Sequence, residues 1–227
     1  METPAPELES LTVVLVGGFQ PALLQPSRLA RAGLIRDLEA DGASVTVISS
    51  DFTRFSTDWF WLEALPDRLQ ISTELSAYYS TLRDLAVGLV QSTPAVEVTG
   101  IGINHVAHFA LEDESEWHKI GHALAPKDFW SSVLENPGTR NISMQGTRPD
   151  EYSGSINLTF EPSARVPHGI FLSSNDHYNV PLENRGPENG LEFVTKLLME
   201  NFQTSLNRSV GYFNKTLEFA KTIEGNG

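Results

Sequence analysis

The 227-residue chain contains no cysteine. This absence excludes disulfide bonds, thiolate zinc sites and cysteine nucleophiles. The chain also lacks any apolar run near the roughly 18–20 residues that a membrane-spanning helix needs. Its N-terminus is acidic and proline-containing, unlike a signal peptide. These absences together predict a cytoplasmic protein with no membrane partner.

Basic residues are scarce. The sequence has 16 Lys and Arg residues against 29 Asp and Glu residues, and its formal net charge is −13. A protein that follows a phosphate backbone needs a basic surface, so the charge argues against nucleic-acid binding. We interpret the acidic surface as a source of solubility.

Sequence motifs of common enzyme classes are also missing. The chain has no G-x-S-x-G nucleophile motif and no H-E-x-x-H zinc motif. The pair Gly17-Gly18 is followed by bulky Phe19 and Pro21, which is typical of a turn and not of a dinucleotide site. The sequence therefore predicts no cofactor, and it favours a non-enzymatic role.

The hydrophobic pattern predicts a strand, a helix, two strands and a helix, and then a strand, a helix, three strands and a helix. Successive strands without intervening helices indicate antiparallel pairing. We therefore predict an α+β fold with a mainly antiparallel sheet of about six or seven strands, covered by helices on one face. Apolar residues stepping by three or four predict one long C-terminal helix over residues 191–222.

The two series of elements resemble each other. We predict a flexible tail over residues 1–10 and a single domain over residues 11–227. This domain would consist of two similar halves, about 11–95 and 96–227, consistent with an internal pseudo-duplication of architecture. The length suits one large domain.

The densest group of polar side chains lies between residues 105 and 177. Its histidines include His105, His108, His118, His122 and His177. His118 and His122 are spaced i, i+4, so on a helix they share a face and could reach one metal ion. His105 and His108 are three apart in a predicted strand, so they point to opposite faces.

Other side chains in this region are candidates for binding. Asn175-Asp176-His177 places a carboxylate beside an imidazole, although neighbours in a strand point apart and the triplet also suits a turn. Trp117 and Trp130 fit either a core or an interface. The candidate binding or interface residues are Asn104, His108, Trp117, His118, His122, Lys127, Trp130, Arg148, Asn175 and His177. Arginines such as Arg148 can pair with the chain's own carboxylates or bind an anion.

A set of spaced residues resembles a sporadically distributed family of uncharacterised bacterial proteins. The pattern is G-I-N, H-F, W, G, L-A-P-K, W, P-S and N-D-H, which runs from Gly102 to His177. Further matching positions in the first half extend the resemblance to roughly residues 11–180. The family has no assigned activity, so no catalytic residue carries over. Its scattered distribution is typical of accessory genes, including those in defence neighbourhoods.

These observations lead to one hypothesis and one alternative. We expect a non-catalytic binding or assembly component of a bacterial multi-protein system. It would bind a protein partner and form a homo-oligomer through the helix at 191–222. The alternative is a metal-dependent or acid–base enzyme that uses the histidine-rich region 105–177, which requires those histidines to converge.

Overall fold

The computed structural model of the protein describes residues 5–93, 97–185 and 187–224. Nine strands in these residues form one antiparallel sheet. The predicted α+β class is confirmed, but the predicted count of about six or seven strands is wrong. The strands are β1 (Leu8–Gly17), β2 (Ser44–Ile48), β3 (Thr53–Ser56), β4 (Trp61–Leu65), β5 (Arg68–Thr73), β6 (Val98–Ala110), β7 (Ile142–Thr147), β8 (Gly154–Pro162) and β9 (Gly169–Asn179).

Five α-helices accompany the sheet in the described residues. They are α1 (Pro26–Arg31), α2 (Asp37–Asp41), α3 (Tyr79–Ser92), α4 (Glu114–Leu124) and α5 (Pro187–Glu224). The long C-terminal helix is confirmed. The first predicted helix is instead two short helices, because Gly33 between them has a φ of 72°, which a helix does not use. None of the described helices is long and apolar enough to cross a membrane.

The strand order is β2-β3-β4-β5-β1-β6-β9-β8-β7. The first strands of the two predicted halves, β1 and β6, are therefore neighbours at the centre. In each half the last strand pairs with the first, and the earlier strands lie progressively further out. This order fits the predicted pseudo-duplication, which stays a prediction. Its boundary near residue 95 lies outside the described residues.

The structure corrects one prediction about the N-terminal tail and decides one alternative between a strand and a turn. Residues 8–10, predicted as part of a flexible tail, belong to β1 and pair with β6. The triplet Asn175-Asp176-His177, for which a turn was an alternative, lies inside β9 and pairs with both β6 and β8. Neighbouring strands on both sides override the turn preference of Asn and Asp.

All the buried apolar strand residues lie on one face of the sheet. In the first half they include Leu11, Val13, Phe55, Leu62 and Ile71, which form one core with residues of α1, α3 and α5. In the second half Ala107, Phe109, Phe160, Ile170 and Leu172 pack with α4 and α5. We call this side the covered face. The opposite side, on which none of these core residues lies, is the open face.

Candidate functional site

Four charged side chains form a buried network on the covered face. Arg148 follows β7, Asp176 lies in β9, Arg208 lies in α5, and Asp150 lies in the turn before β8. The side chains of Arg148 and Asp176 are only 1% and 3% exposed. Arg148 donates to Asp176 through Nη1 and to Asp150 through Nε and Nη2, at 2.9 and 2.6 Å for the latter pair. Arg208 donates to Asp176 and to Asp150, each at 2.8 Å.

The network balances its own charge. Burial disfavours the charged forms of Arg148 and Arg208, but the adjacent carboxylates raise the pKa of both guanidinium groups. Burial likewise acts to raise the pKa of Asp150, yet hydrogen bonds from both arginines leave that pKa below its usual value. Two cations and two anions thus satisfy one another. Arg148 is paired with the chain's own carboxylates, which was one of its two predicted roles.

His105 occupies a second polar cluster on the covered face. Its Nδ1 lies 2.7 Å from Ser209 Oγ, and its Nε2 lies 3.4 Å from Glu9 Oε2. Ser209 Oγ already donates to the Leu206 carbonyl at 2.7 Å, so the His105 Nδ1–H is the donor to Ser209. Burial lowers the pKa of His105, and Glu9 partly opposes this shift. Ser209 is only 3% exposed, so this Ser-His-Glu set is a packing contact that no substrate reaches.

The other four candidate histidines do not join His105. His118 and His122 lie on α4, as the spacing predicts, and His118 pairs with Glu114 at 3.6 Å. His108 and His177 lie on the open face. In residues 5–93, 97–185 and 187–224, no group of three or more histidine, aspartate or glutamate side chains is placed to hold a metal ion. The convergence that the enzyme alternative requires is not found among these side chains.

The aromatic and lysine candidates lie near α4. Trp117 is partly buried against the second-half core. Lys127 is partly exposed, and Trp130, in a short 3₁₀ turn, is 49% exposed. The helix α4 packs on α5, on the covered side of the sheet.

Four predicted residues do share the open face: Asn104, His108, Asn175 and His177. The alternation of side chains along β6 and β9 places them there. His108 is buried at one end of this face, where its Nδ1 lies 2.8 Å from Ser163 Oγ and its ring meets Phe171. Burial lowers the pKa of His108, and nearby Arg165 adds to this effect. Asn104, Asn175 and His177 remain partly exposed.

A row of uncharged polar side chains crosses the open face from strand to strand. We call it the polar row, and its members in sheet order are Ser72, Thr12, Asn104, Asn175, Asn157 and Gln145. Thr12 bonds Ser72 at 2.7 Å, and Asn175 donates to Asn104. Asn157 in turn donates to Asn175 at 3.3 Å. A primary amide has two N–H donors and a carbonyl, so these bonds use only part of the row's capacity.

The surroundings of the polar row are uncharged too. Three adjacent residue rows across β1, β6, β9, β8 and β7 make fifteen positions, which we call the neutral face. They are Val14, Gly102, His177, Ser155 and Thr147; Thr12, Asn104, Asn175, Asn157 and Gln145; and Ser10, Val106, Ser173, Thr159 and Ser143. None is Asp, Glu, Lys or Arg, in a chain that has 45 of these residues (16 basic and 29 acidic).

Two glycines of β6 lie close to side chains of the open face. A Cβ at Gly100 would lie 3.0 Å from the His177 ring, closer than nearly all real contacts. A Cβ at Gly102 would lie 3.4 Å from Asn104 Oδ1 and 3.7 Å from Asn175 Nδ2. Gly100 therefore leaves space for the His177 ring over β6, whereas a side chain at Gly102 would make only ordinary contacts.

The sequence did not predict several residues of the polar row and of the buried clusters. Thr12, Asn157 and Gln145 of the polar row are polar residues on strands. Polar residues at alternate strand positions are common, so the sequence of one strand alone is only a weak indication of a polar row. Arg208 and Ser209 lie on the predicted C-terminal helix, and only the tertiary fold brings them to Asp176 and His105.

No protein-family model matches this chain, and comparison with curated proteins found no significant similarity. The bacterial family resemblance therefore stays a prediction.

Replacing Asp176 by Asn tests the buried network. This change keeps the side-chain shape but leaves two buried guanidinium groups sharing one carboxylate, so the free energy of unfolding should fall by about 3–5 kcal/mol. The matched control is Glu74→Asn, which breaks the half-exposed pair with Arg165 and should change stability by less than about 1 kcal/mol. Urea denaturation measures both; equal effects would contradict the assigned role of the network.

The buried histidines predict a pH dependence. The lowered pKa values of His105 and His108 favour the neutral rings in the folded protein. Their contribution to stability is present above the ordinary pKa of 6.5, and it is lost as the pH falls through the folded values. The free energy of unfolding should therefore decrease between about pH 7.5 and pH 5. The double variant His105→Asn/His108→Asn should be less stable overall but show a flatter slope; an unchanged slope would refute the assignment.

Proposed function

We propose that this protein is a non-catalytic binding or assembly component that recognises a protein partner through its neutral face. The observation that carries the proposal is the continuous uncharged polar surface across five neighbouring strands. It lies on the face that the helices leave open, and its side chains retain hydrogen-bonding capacity. A rigid sheet holds them in fixed register, which keeps the entropic cost of binding low.

The chemistry of the neutral face defines the kind of partner. With no Lys or Arg at its fifteen positions, it offers no cation to a phosphate backbone. Asn, Ser and Thr side chains instead match neutral donors and acceptors such as peptide groups and amides. Val14 and Val106 lie among them and add apolar contact area. A neutral, mixed polar and apolar surface is typical of the contact area in protein–protein recognition.

Net charge gives a second reason for recognition at this surface. A chain with formal charge −13 repels other acidic proteins over most of its surface. A partner meets no fixed charge at the neutral face. The bacterial family resemblance, the predicted cytoplasmic location and the absence of a predicted cofactor are parts of the same proposal. In it, the protein serves an accessory or defence-related assembly.

Charges placed on the neutral face test the proposal. Asn157→Lys/Thr159→Lys puts two unpaired cations on β8, one of the five strands of the neutral face, and each lysine buried against a neutral partner is costly. The matched control, Met199→Lys/Val210→Lys, changes two half-exposed apolar residues on the outer side of α5. Circular dichroism and thermal unfolding establish that both variants fold.

The readout has two stages. Proteins that co-purify with the wild-type chain from its native host are first quantified by mass spectrometry, and the strongest is then purified for titration. We expect the β8 variant to weaken that binding at least about tenfold and the α5 variant to leave it unchanged. Equal binding by wild type and the β8 variant would contradict the proposal.

A further inference from the structure

The sheet has two edge strands, β2 and β7, and they differ in how well they are protected. An edge strand exposes a row of backbone N–H and C=O groups that can pair with another chain. The pairing of β2 with β3 shifts register between Val45 and Val47, an irregularity that discourages further pairing. β7 instead pairs with β8 at all six positions without a register shift. Neither edge strand contains a charged residue or a proline, so this regular pairing is what leaves β7 the less protected edge.

Exposed apolar side chains concentrate in the segment that leads into β7. Those at least 49% exposed between residues 129 and 144 are Phe129, Trp130, Val133, Leu134 and Met144. Beside β7, an apolar groove of about 190 Å³ lies between the covered face and α5. Ile142 and Met144 of the edge strand line it together with Leu158 and Phe160 of β8. An exposed apolar surface of this kind marks an interaction site.

The net charge restricts where two copies of this chain can meet. Two chains of formal charge −13 repel each other, so they associate best where neither carries a carboxylate. All six residues of β7 meet this condition. The long helix α5 is a poorer candidate for the interface between two copies. Its apolar stripe, from which the sequence predicted an oligomer contact, packs inside the chain through Val194, Leu198, Phe202 and Phe213.

The side chains of β7 are complementary to those of a second antiparallel β7. A two-fold axis perpendicular to the sheet keeps both covered faces on the same side, so even-numbered residues face even-numbered ones. With Met144 on the axis, Ile142 lies opposite Gly146 of the second copy. A Cβ at Gly146 would meet nothing within 4 Å, so there is room for the Ile142 side chain. On the other face, Ser143 lies opposite Gln145.

We infer that this chain forms a homodimer in which the β7 strands of two copies pair antiparallel, with Met144 on the two-fold axis. Two nine-stranded sheets then form one continuous sheet. The apolar grooves meet on the covered side, and the two neutral faces become a single surface on the other. This inference does not depend on the proposed partner binding, since the homodimer uses the edge of the sheet and not its open face.

Charge at the two-fold axis tests the homodimer. Wild-type protein should sediment at twice the chain mass of 25.0 kDa. Met144→Lys places two lysines opposite each other and should raise the dissociation constant at least about tenfold, whereas Met144→Leu should retain the dimer. Sedimentation equilibrium over about 1–100 µM covers the range in which such dimers dissociate. A monomer throughout, or a dimer that Met144→Lys leaves intact, overturns the inference.

Cross-linking tests the register and is simple because the chain has no cysteine. Residues directly opposite in an antiparallel pair have Cα atoms about 4.5–5.5 Å apart, within the range of about 4.4–6.8 Å for a disulfide. Met144→Cys should therefore oxidise to a covalent dimer. The control Val210→Cys, on the outer side of α5, should stay monomeric under the same conditions. A Met144→Cys variant that forms no covalent dimer while the wild type sediments as a dimer overturns the proposed register.

Discussion

The buried network of two arginines and two aspartates fixes how the second half of the molecule is assembled. Arg208 of α5 meets Asp176 of β9 and Asp150 of the adjoining turn, and Arg148 closes the set. Removing one partner from such a network leaves a buried charge unpaired, which is far more costly than losing an exposed ion pair. A shift of α5 by one turn would have this effect. The network therefore specifies one position of the helix against one face of the sheet.

The packing of the helices on the covered face leaves uncharged polar side chains on the open face. Because α5 and the other helices pack on the covered face, alternate residues of each strand have different roles. In β9, Asp176 points inward to the arginines, while its neighbours Asn175 and His177 point to the open face. Charge is thus satisfied inside the molecule, and the hydrogen-bonding capacity left over lies on the open face. This division is the physical basis for assigning recognition to the neutral face.

Sequence periodicity predicted the fold class and the orientation of several site residues, because both depend on local geometry. The three-residue spacing of His105 and His108 placed them on opposite faces, as found. The pattern missed β3, a strand of only four residues, and left the extent of β9 open because Asn and Asp favour turns. The contact of His105 with Ser209 spans 104 residues. Local spacing carries no information on such pairings or on the strand register that aligns the polar row.

Oxidative footprinting of the protein alone and with a bound partner tests the proposed role of the open face most directly. His177 is a reactive side chain of the neutral face, and Met199 is a reactive side chain on the outer surface of α5. We predict that partner binding protects His177 from oxidation and leaves Met199 as reactive as in the free protein. Protection of Met199 with unchanged oxidation of His177 would contradict the proposal.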